Sequence, residues 1–385
     1  MTDSRRLRAP LQDPVELVPR SVNESAWRPF LYRGNLPNEC DALLKLVNSD
    51  DVREVHDTLD RQLEDLIRDR SPARAFTGTQ LQAAKQEHLA GIEPWQYGTW
   101  VWYPWSGRLV HVLPRDEFRA LRTDRNRGKI SPADQARLLD YRIGIIGLSV
   151  GSSVALTLAM EGIGGKFKLA DFDELGLSNL NRLRTGVHDL GINKTVIAAR
   201  QMYEIDPYLD IEIYPDGLTE INLEVFFCGG SGPLDLLVEE CDTPWVKVAA
   251  RELARSNRVP VLMDTNDRGM LDIERFDLEP DRPLLHGLLG QTSSQELRNL
   301  GPEERMALVL SFIGKEGMSA ELGASFERIG ETLNSWPQLA SGVVLGAAIT
   351  TDAARRILLG THRHSGRYYV DLAALLADKA TASHS

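Results

Sequence analysis

Residues 142–171 carry the pattern that most restricts the fold. Ile143 to Ile146 form a short apolar run that breaks at Gly147-Leu148-Ser149-Val150-Gly151. A helical pattern follows, and a second apolar run ends at Asp171. Strand, glycine loop, helix, strand and terminal acid is the order of a nucleotide-binding crossover. Glycine at 147 and 151 lets the backbone turn and approach a phosphate with no Cβ in the way. A helix from about Ser152 aims its unpaired N–H groups at that phosphate. Asp171, twenty residues past Gly151, is spaced to accept hydrogen bonds from ribose hydroxyls. Gly147, Ser149, Gly151 and Asp171 are therefore expected to bind cofactor.

The same loop spells Gly-x-Ser-x-Gly, the elbow that presents a nucleophilic serine between strand and helix. His286, His362 and His364 supply later histidines for such a hydrolase. That reading gives no use to the polar run Ser178-Asn179-Leu180-Asn181-Arg182, and the nucleotide reading is preferred over it.

Composition narrows the field further. A formal net charge of −11 argues against a general nucleic-acid or anionic-membrane surface. No run of 18 apolar residues occurs, and MTDSRRLRAP lacks an apolar signal core, so a cytoplasmic location is expected. Cys40, Cys228 and Cys241 lie far apart without a Cys-x-x-Cys pair, so they read as small core hydrophobes rather than zinc ligands or a disulfide framework.

The expected fold class is α/β. It consists of a doubly wound, mostly parallel sheet with a smaller N-terminal α+β subdomain. Residues 1–35 read as irregular, with Pro10, Pro14, Pro19 and Pro29 spaced through them. Helices are expected at about 38–48, 51–68 and 78–90. In the second, Asp50 is the cap and Val52, Val55, Leu59, Leu63 and Leu66 share a face. A hairpin spans 99–113, with its turn at Pro104 to Gly107. The four tryptophans between 95 and 105 read as a small packed core, with an aromatic groove for a peptide as the alternative. Ser131-Pro132 caps a helix leading into the first strand of the large sheet. Strands then alternate with helices through Val259–Met263, which implies a sheet covered on both faces. The boundaries are 1–115 for the N-terminal unit, 116–378 for the nucleotide-binding domain and 379–385 for a polar tail. The stretch Asp264, Asp267, Arg268, Asp272 and Glu274 either lines the substrate side or forms a polar loop and half-exposed strand.

Gly147, Asp171 and Asp242 all follow expected strand ends, where ligands of such sheets sit. The order ADFDELGLSNLNR, then Gly191 to Lys194 before a helix, then Asp242 after the next core strand resembles the ThiF/MoeB/HesA superfamily. These are adenylating enzymes related to ubiquitin-activating enzymes. Asp206-Pro207 and SGVVLGAAITTDAARRILLG with YYVDL extend the likeness over roughly 120–375.

The resemblance implies ATP-dependent activation of a carboxylate, giving an acyl adenylate and pyrophosphate in a homodimer. It implies phosphate contacts from Arg182 and Lys194, Mg2+ at Asp242, ribose at Asp171, and nucleotide contacts from Ser178, Asn179 and Thr243. It nominates Arg125 in LRTDRN as an arginine reaching across the dimer interface. The glycine loop is one residue shorter than the family's usual form, and Thr243 stands where asparagine is usual. No cysteine follows Cys241 and no zinc pair is present. The chain is thus similar to members that adenylate a peptide carboxylate during maturation of ribosomal peptide natural products, such as microcin- and pantocin-type enzymes. The substrate implied is a peptide or small protein, with the N-terminal unit recognising it.

Two other functions fit part of the pattern. A nicotinamide- or flavin-binding oxidoreductase uses Gly147 and Asp171 but not Arg182, Lys194 and Asp242. A non-catalytic partner subunit would tolerate loss of those three residues.

Overall fold

The computed structural model describes residues 25–290, 292–301, 304, 308, 311–312, 314, 317–326 and 328–377. Pro10, Pro14, Pro19 and the tail at 379–385 lie outside them.

The large sheet has seven strands. In chain order they are β5 (Arg142–Ile146), β6 (Lys166–Ala170), β7 (Asp210–Tyr214), β8 (Leu236–Glu239), β9 (Val261–Thr265), β10 (Met270–Glu274) and β11 (Gly366–Tyr369). Their spatial order is β11-β10-β9-β8-β5-β6-β7. The five from β7 to β9 are parallel, and β10 and β11 add an antiparallel edge. Strand order reverses between β5 and β8, which opens a crevice beyond their carboxyl ends.

Both faces of the sheet are buried, as parallel strands require. Ile143 and Ile145 of β5 join one core with Val154 and Leu158 of α6 (Gly151–Glu161) and Ala198 and Met202 of α7 (Lys194–Ile205). The long helix Ala340–Leu358 closes that face through Ala347 and Ala354. Ile146 turns the other way, into a core with Phe226, Phe227 and Ala250, on α8 (Leu223–Cys228) and α9 (Pro244–Ser256). Gly144 faces this second core. A Cβ there would lie 2.6 Å from Leu234 and 3.0 Å from Phe226, so the helices approach as closely as the strand allows.

The N-terminal unit is a four-stranded sheet in the order β1-β3-β4-β2. Its strands are β1 (Phe30–Tyr32), β2 (Glu54–Asp57), β3 (Thr99–Tyr103) and β4 (Arg108–Val112). β3 and β4 form the expected hairpin. The helix expected over 51–68 does not hold. Glu54–Asp57 is a strand parallel to β4, and the helix runs Leu59–Arg70. The β2 residues are all exposed, so they carry no buried alternation to signal a strand. Leu59, Leu63 and Leu66 do share the buried helix face. The helix Gly78–Leu89 is closed by a Thr77/Gln80 capping box, and Ser131 caps Pro132–Leu138.

The tryptophans are packed, on the face away from the main core for two of them. Thr99, Val101 and Tyr103 face inward, so the alternation of β3 turns Trp100 and Trp102 to the opposite, half-buried face. There Trp100 stacks on His111 at 4.1 Å and Trp102 meets Phe30 at 5.6 Å. The unit is fastened to the large sheet by Tyr103, whose hydroxyl donates to the Tyr203 carbonyl at 3.1 Å, and by Leu113, whose carbonyl accepts from the Tyr208 hydroxyl at 2.6 Å.

Candidate functional site

The glycine loop leaves β5 at Gly147, whose φ of +83° is open to glycine and strained for other residues. A Cβ here would lie 2.6 Å from the Glu240 carbonyl, so the loop lies directly against the end of β8. Gly151 opens α6. The N–H groups of its first turn face the crevice.

Asp171 is tied to this loop rather than open to solvent. It is buried, Oδ2 accepts the Leu148 N–H at 2.5 Å, and Oδ1 accepts the Asp173 N–H at 2.8 Å. Burial pushes its carboxyl up, against the pull of Lys194 and the two backbone donors. The exposed acid beside it is Asp173, whose Oδ2 accepts a hydrogen bond from Lys194 Nζ at 2.6 Å. Asp173 was missed in the sequence. The signal was the spacing, since residues two apart on an extended segment point the same way.

Arg182 reaches back across the loop. Its Nε and Nη2 donate to Ser149 Oγ at 3.1 and 2.8 Å. The hydroxyl thus faces a cation, not a histidine. His286 is engaged with Asp272 at 2.9 Å, and His362 faces the His364 carbonyl. The serine-nucleophile arrangement is therefore not assembled. Burial lowers the Arg182 guanidinium from its usual range, with the charge of Asp242 opposing.

The 178–182 run forms a short 3-10 turn. Asn179 caps it by accepting the Gly176 N–H at 2.9 Å. Ser178 is exposed, and its carbonyl faces Arg182. Lys194 is the first residue of α7, after Asn193 caps the helix by accepting the Thr195 N–H.

Asp242 follows β8 at the mouth of the crevice. It is accessible and makes no hydrogen bond or ion pair among the described residues. The surrounding protein raises its carboxyl, Lys247 and Lys194 pull it down, and Glu239 adds to the rise. Thr243 is the N-cap residue of α9 and makes no side-chain cap bond. Behind Asp242 lies a buried ion network. Lys247 Nζ donates to Glu239 at 2.8 Å, while Arg251 bridges Glu239 and Glu274. Burial alone would raise Glu239, yet Lys247 and Arg251 win and hold it at about 2.

Arg125 is placed elsewhere. It is exposed, and its neighbour Asn126 donates to the Glu161 carbonyl at the far end of α6. At about 1.5 Å per residue, that helix separates Arg125 from the glycine loop by roughly 16 Å. It does not join the site of its own protomer.

The acidic stretch after Met263 splits in two. Asp264 and Asp267 line a cavity next to Asp242. Asp272 and Glu274 are buried structural partners, paired with Arg367 and Arg251, and Arg268 pairs with Asp371 at 2.8 Å. Among the described residues no cluster of three or more His, Cys, Asp or Glu forms a metal cage, and no helix is long and apolar enough to cross a membrane.

Residues 123–330 match the model of the ThiF family. A protein of Mycobacterium tuberculosis (strain CDC 1551 / Oshkosh), Uncharacterized protein MT1398, is 44% identical over 277 residues, which cover 72% of this chain and 38% of that one. A probable molybdopterin-synthase adenylyltransferase of Porphyra purpurea is 36% identical over 90 residues, 23% of each chain. The chain thus spans well under half the length of these relatives. The crystal structure of E. coli tRNA N6-threonylcarbamoyladenosine dehydratase, TcdA, in complex with ATP aligns over 63% of this chain and 95% of that one, with a TM-score of 0.46 and 15% identity.

Proposed function

This chain belongs to the ThiF family, and on that premise we propose that it activates a carboxylate by adenylation with ATP. The observation that carries the reading is the Arg182–Ser149 contact, which sets a guanidinium on the glycine loop where a phosphate binds. The Porphyra relative, a probable adenylyltransferase, agrees with it. An oxidoreductase would leave that cation, Lys194 and Asp242 without work.

In this reading the substrate carboxylate attacks the α-phosphorus of ATP. A new P–O bond forms, the bond to the bridging oxygen breaks, and pyrophosphate leaves with the electron pair. No proton moves. Negative charge builds on the phosphate oxygens, and Arg182 and Lys194 stabilise it from fixed positions. Lys194 enters this role by exchanging Asp173 for phosphate. Asp171 holds the loop and offers its remaining acceptor capacity to ribose, and Ser178, Asn179 and Thr243 shape the nucleotide's edge. Asp242, accessible and unpartnered, is the hard oxygen donor that would hold Mg2+, whose charge would further offset that of the phosphates.

The substrate in this proposal is a peptide or small protein, in the maturation of a ribosomal peptide natural product. The unit 1–115 recognises it and 116–378 activates it. Arg125, exposed and remote from its own site, serves the partner protomer of a homodimer. A reaction that consumes ATP belongs in the cytoplasm.

The test is pyrophosphate release from Mg-ATP across paired peptides with free or amidated C-termini. Release with free termini only supports the reading, and equal release with the amides contradicts it.

A further inference from the structure

The cavity beyond β8 and β9 is built to receive hydrogen-bond donors. Asp264 is 4% exposed, and its carboxylate oxygens, with Glu240 and the Thr350 hydroxyl beside them, make no well-formed hydrogen bond. Asn266 Oδ1 and Gln338 Oε1, on the same wall, are buried and unpartnered as well. Glu240 and Asp267 complete the acceptor side. An unpaired buried acceptor is costly, and an unpaired buried carboxylate more so. The cation already present does not answer this demand, because Lys247 is committed to Glu239 at 2.8 and 3.0 Å.

The other wall is aromatic. Phe312 and Trp336 line it, and Trp336 is braced edge-on by Phe326 at 4.8 Å. Acceptor oxygens facing aromatic rings form the surroundings that hold an ammonium or guanidinium group. The space is about 140 Å3. That is below the roughly 300–1,000 Å3 of a site for a whole small molecule, and suits one side chain.

Two details fix where the guest sits. Asp242 lines this cavity. In the adenylation reading it also borders the phosphates, so a group in the cavity lies next to the reacting side. Glu240 accepts the Asp264 backbone N–H at 2.8 Å, so the two carboxyls are packed together. Enclosure by protein raises the Asp264 carboxyl, and a cationic guest beside its oxygens supplies a counter-charge.

We propose that the residue whose carboxylate is activated carries a cationic side chain, an ammonium or guanidinium, held in this cavity by Asp264, Asp267 and Trp336. The inference rests on the adenylation reading for the fate of the carboxylate. The cavity's preference stands on its own and is measured without nucleotide.

The experiment is calorimetric titration of the full chain with two pairs of peptides. One pair ends in lysine or norleucine, the other in arginine or citrulline. The expected result is affinity about tenfold or more higher for the cationic member of at least one pair. In Asp267→Asn, and in Asp264→Asn if it folds, that preference shrinks. Equal affinity within both pairs, preference for the neutral members, or no binding of any peptide at millimolar concentration overturns the proposal. Mg-ATP stabilisation of the same wild-type sample reports the adenylation reading separately. If ATP stabilises while the cationic peptides show no advantage, the cavity assignment fails alone. If the cationic peptides win while ATP has no effect, the adenylation reading fails alone.

Discussion

Arg182 Nη2 lies 2.8 Å from Ser149 Oγ, so a guanidinium from one loop rests on the hydroxyl of another, 33 residues away in sequence. The contact preorganises a positive charge at the mouth of α6. It also occupies the hydroxyl that an elbow nucleophile would need free.

Removing this cation should cost chemistry rather than stability. Arg182→Ala is expected to lower pyrophosphate release about 100- to 1,000-fold, the usual loss of one fixed electrostatic donor. Its unfolding midpoint should stay close to wild type. Steady-state kinetics beside thermal unfolding separates the two effects.

Ser149→Ala should keep most of the activity, because the serine supports Arg182 and attacks nothing. A fluorophosphonate that labels nucleophilic serines should leave Ser149 unmodified, read by mass spectrometry. Stoichiometric labelling at this position would revive the hydrolase reading.

Asp264 gives a signed pH effect. Burial pushes its carboxyl from 3.8 up to about 7. The folded state therefore binds more protons than the unfolded state between those values, and unfolding free energy falls as pH rises through that window. Stability carried by the protonated carboxyl is present below about 4 and is lost towards 7. Denaturant unfolding from pH 4 to 7 should show a decline in wild type that is steeper than in Asp264→Asn.

The buried ion network should be intolerant of single deletions. Glu239 and Arg251 are fully buried, and Arg251 also holds Glu274 at 2.6 Å. Glu239→Gln leaves Arg251 and Lys247 under-compensated, so a loss of about 3–5 kcal/mol is expected in denaturant titration.

Arg125 tests the dimer. If it serves the partner's site, Arg125→Ala and Arg182→Ala should each be impaired, and mixing the two should restore activity that neither shows alone. Mixed dimers then contain one site with both arginines. No restoration after subunit exchange would place Arg125 outside the chemistry.

Much of the site was legible because its signals are local. Gly147, Asp171 and Asp242 each follow a strand of their own, and the strand order brings those ends to one crevice. The pairing of Glu240 with Asp264 was not legible. It depends on neighbouring strands β8 and β9, and nothing in either segment states their register. Strand β2 was hidden for a related reason: its residues are exposed, and Val55 happens to fall in step with the helix after it. The tryptophans of β3 were legible as packing, but which face they take was not: Val101 and Tyr103 join the main core, while Trp100 stacks on buried His111 on the other face. Asp171 combined both cases, since its position was readable but its two bonds to backbone N–H groups were not.

Binding of nucleotide is the claim from which the rest follows. The direct measurement is thermal unfolding of the full chain with Mg-ATP or NADH, alongside Asp242→Ala and Arg182→Ala. A ligand at about 100 times its Kd adds roughly 2.7 kcal/mol to the folded state. The account predicts stabilisation by Mg-ATP, none by NADH, and loss of the effect in both variants. Stabilisation by NADH alone would contradict it.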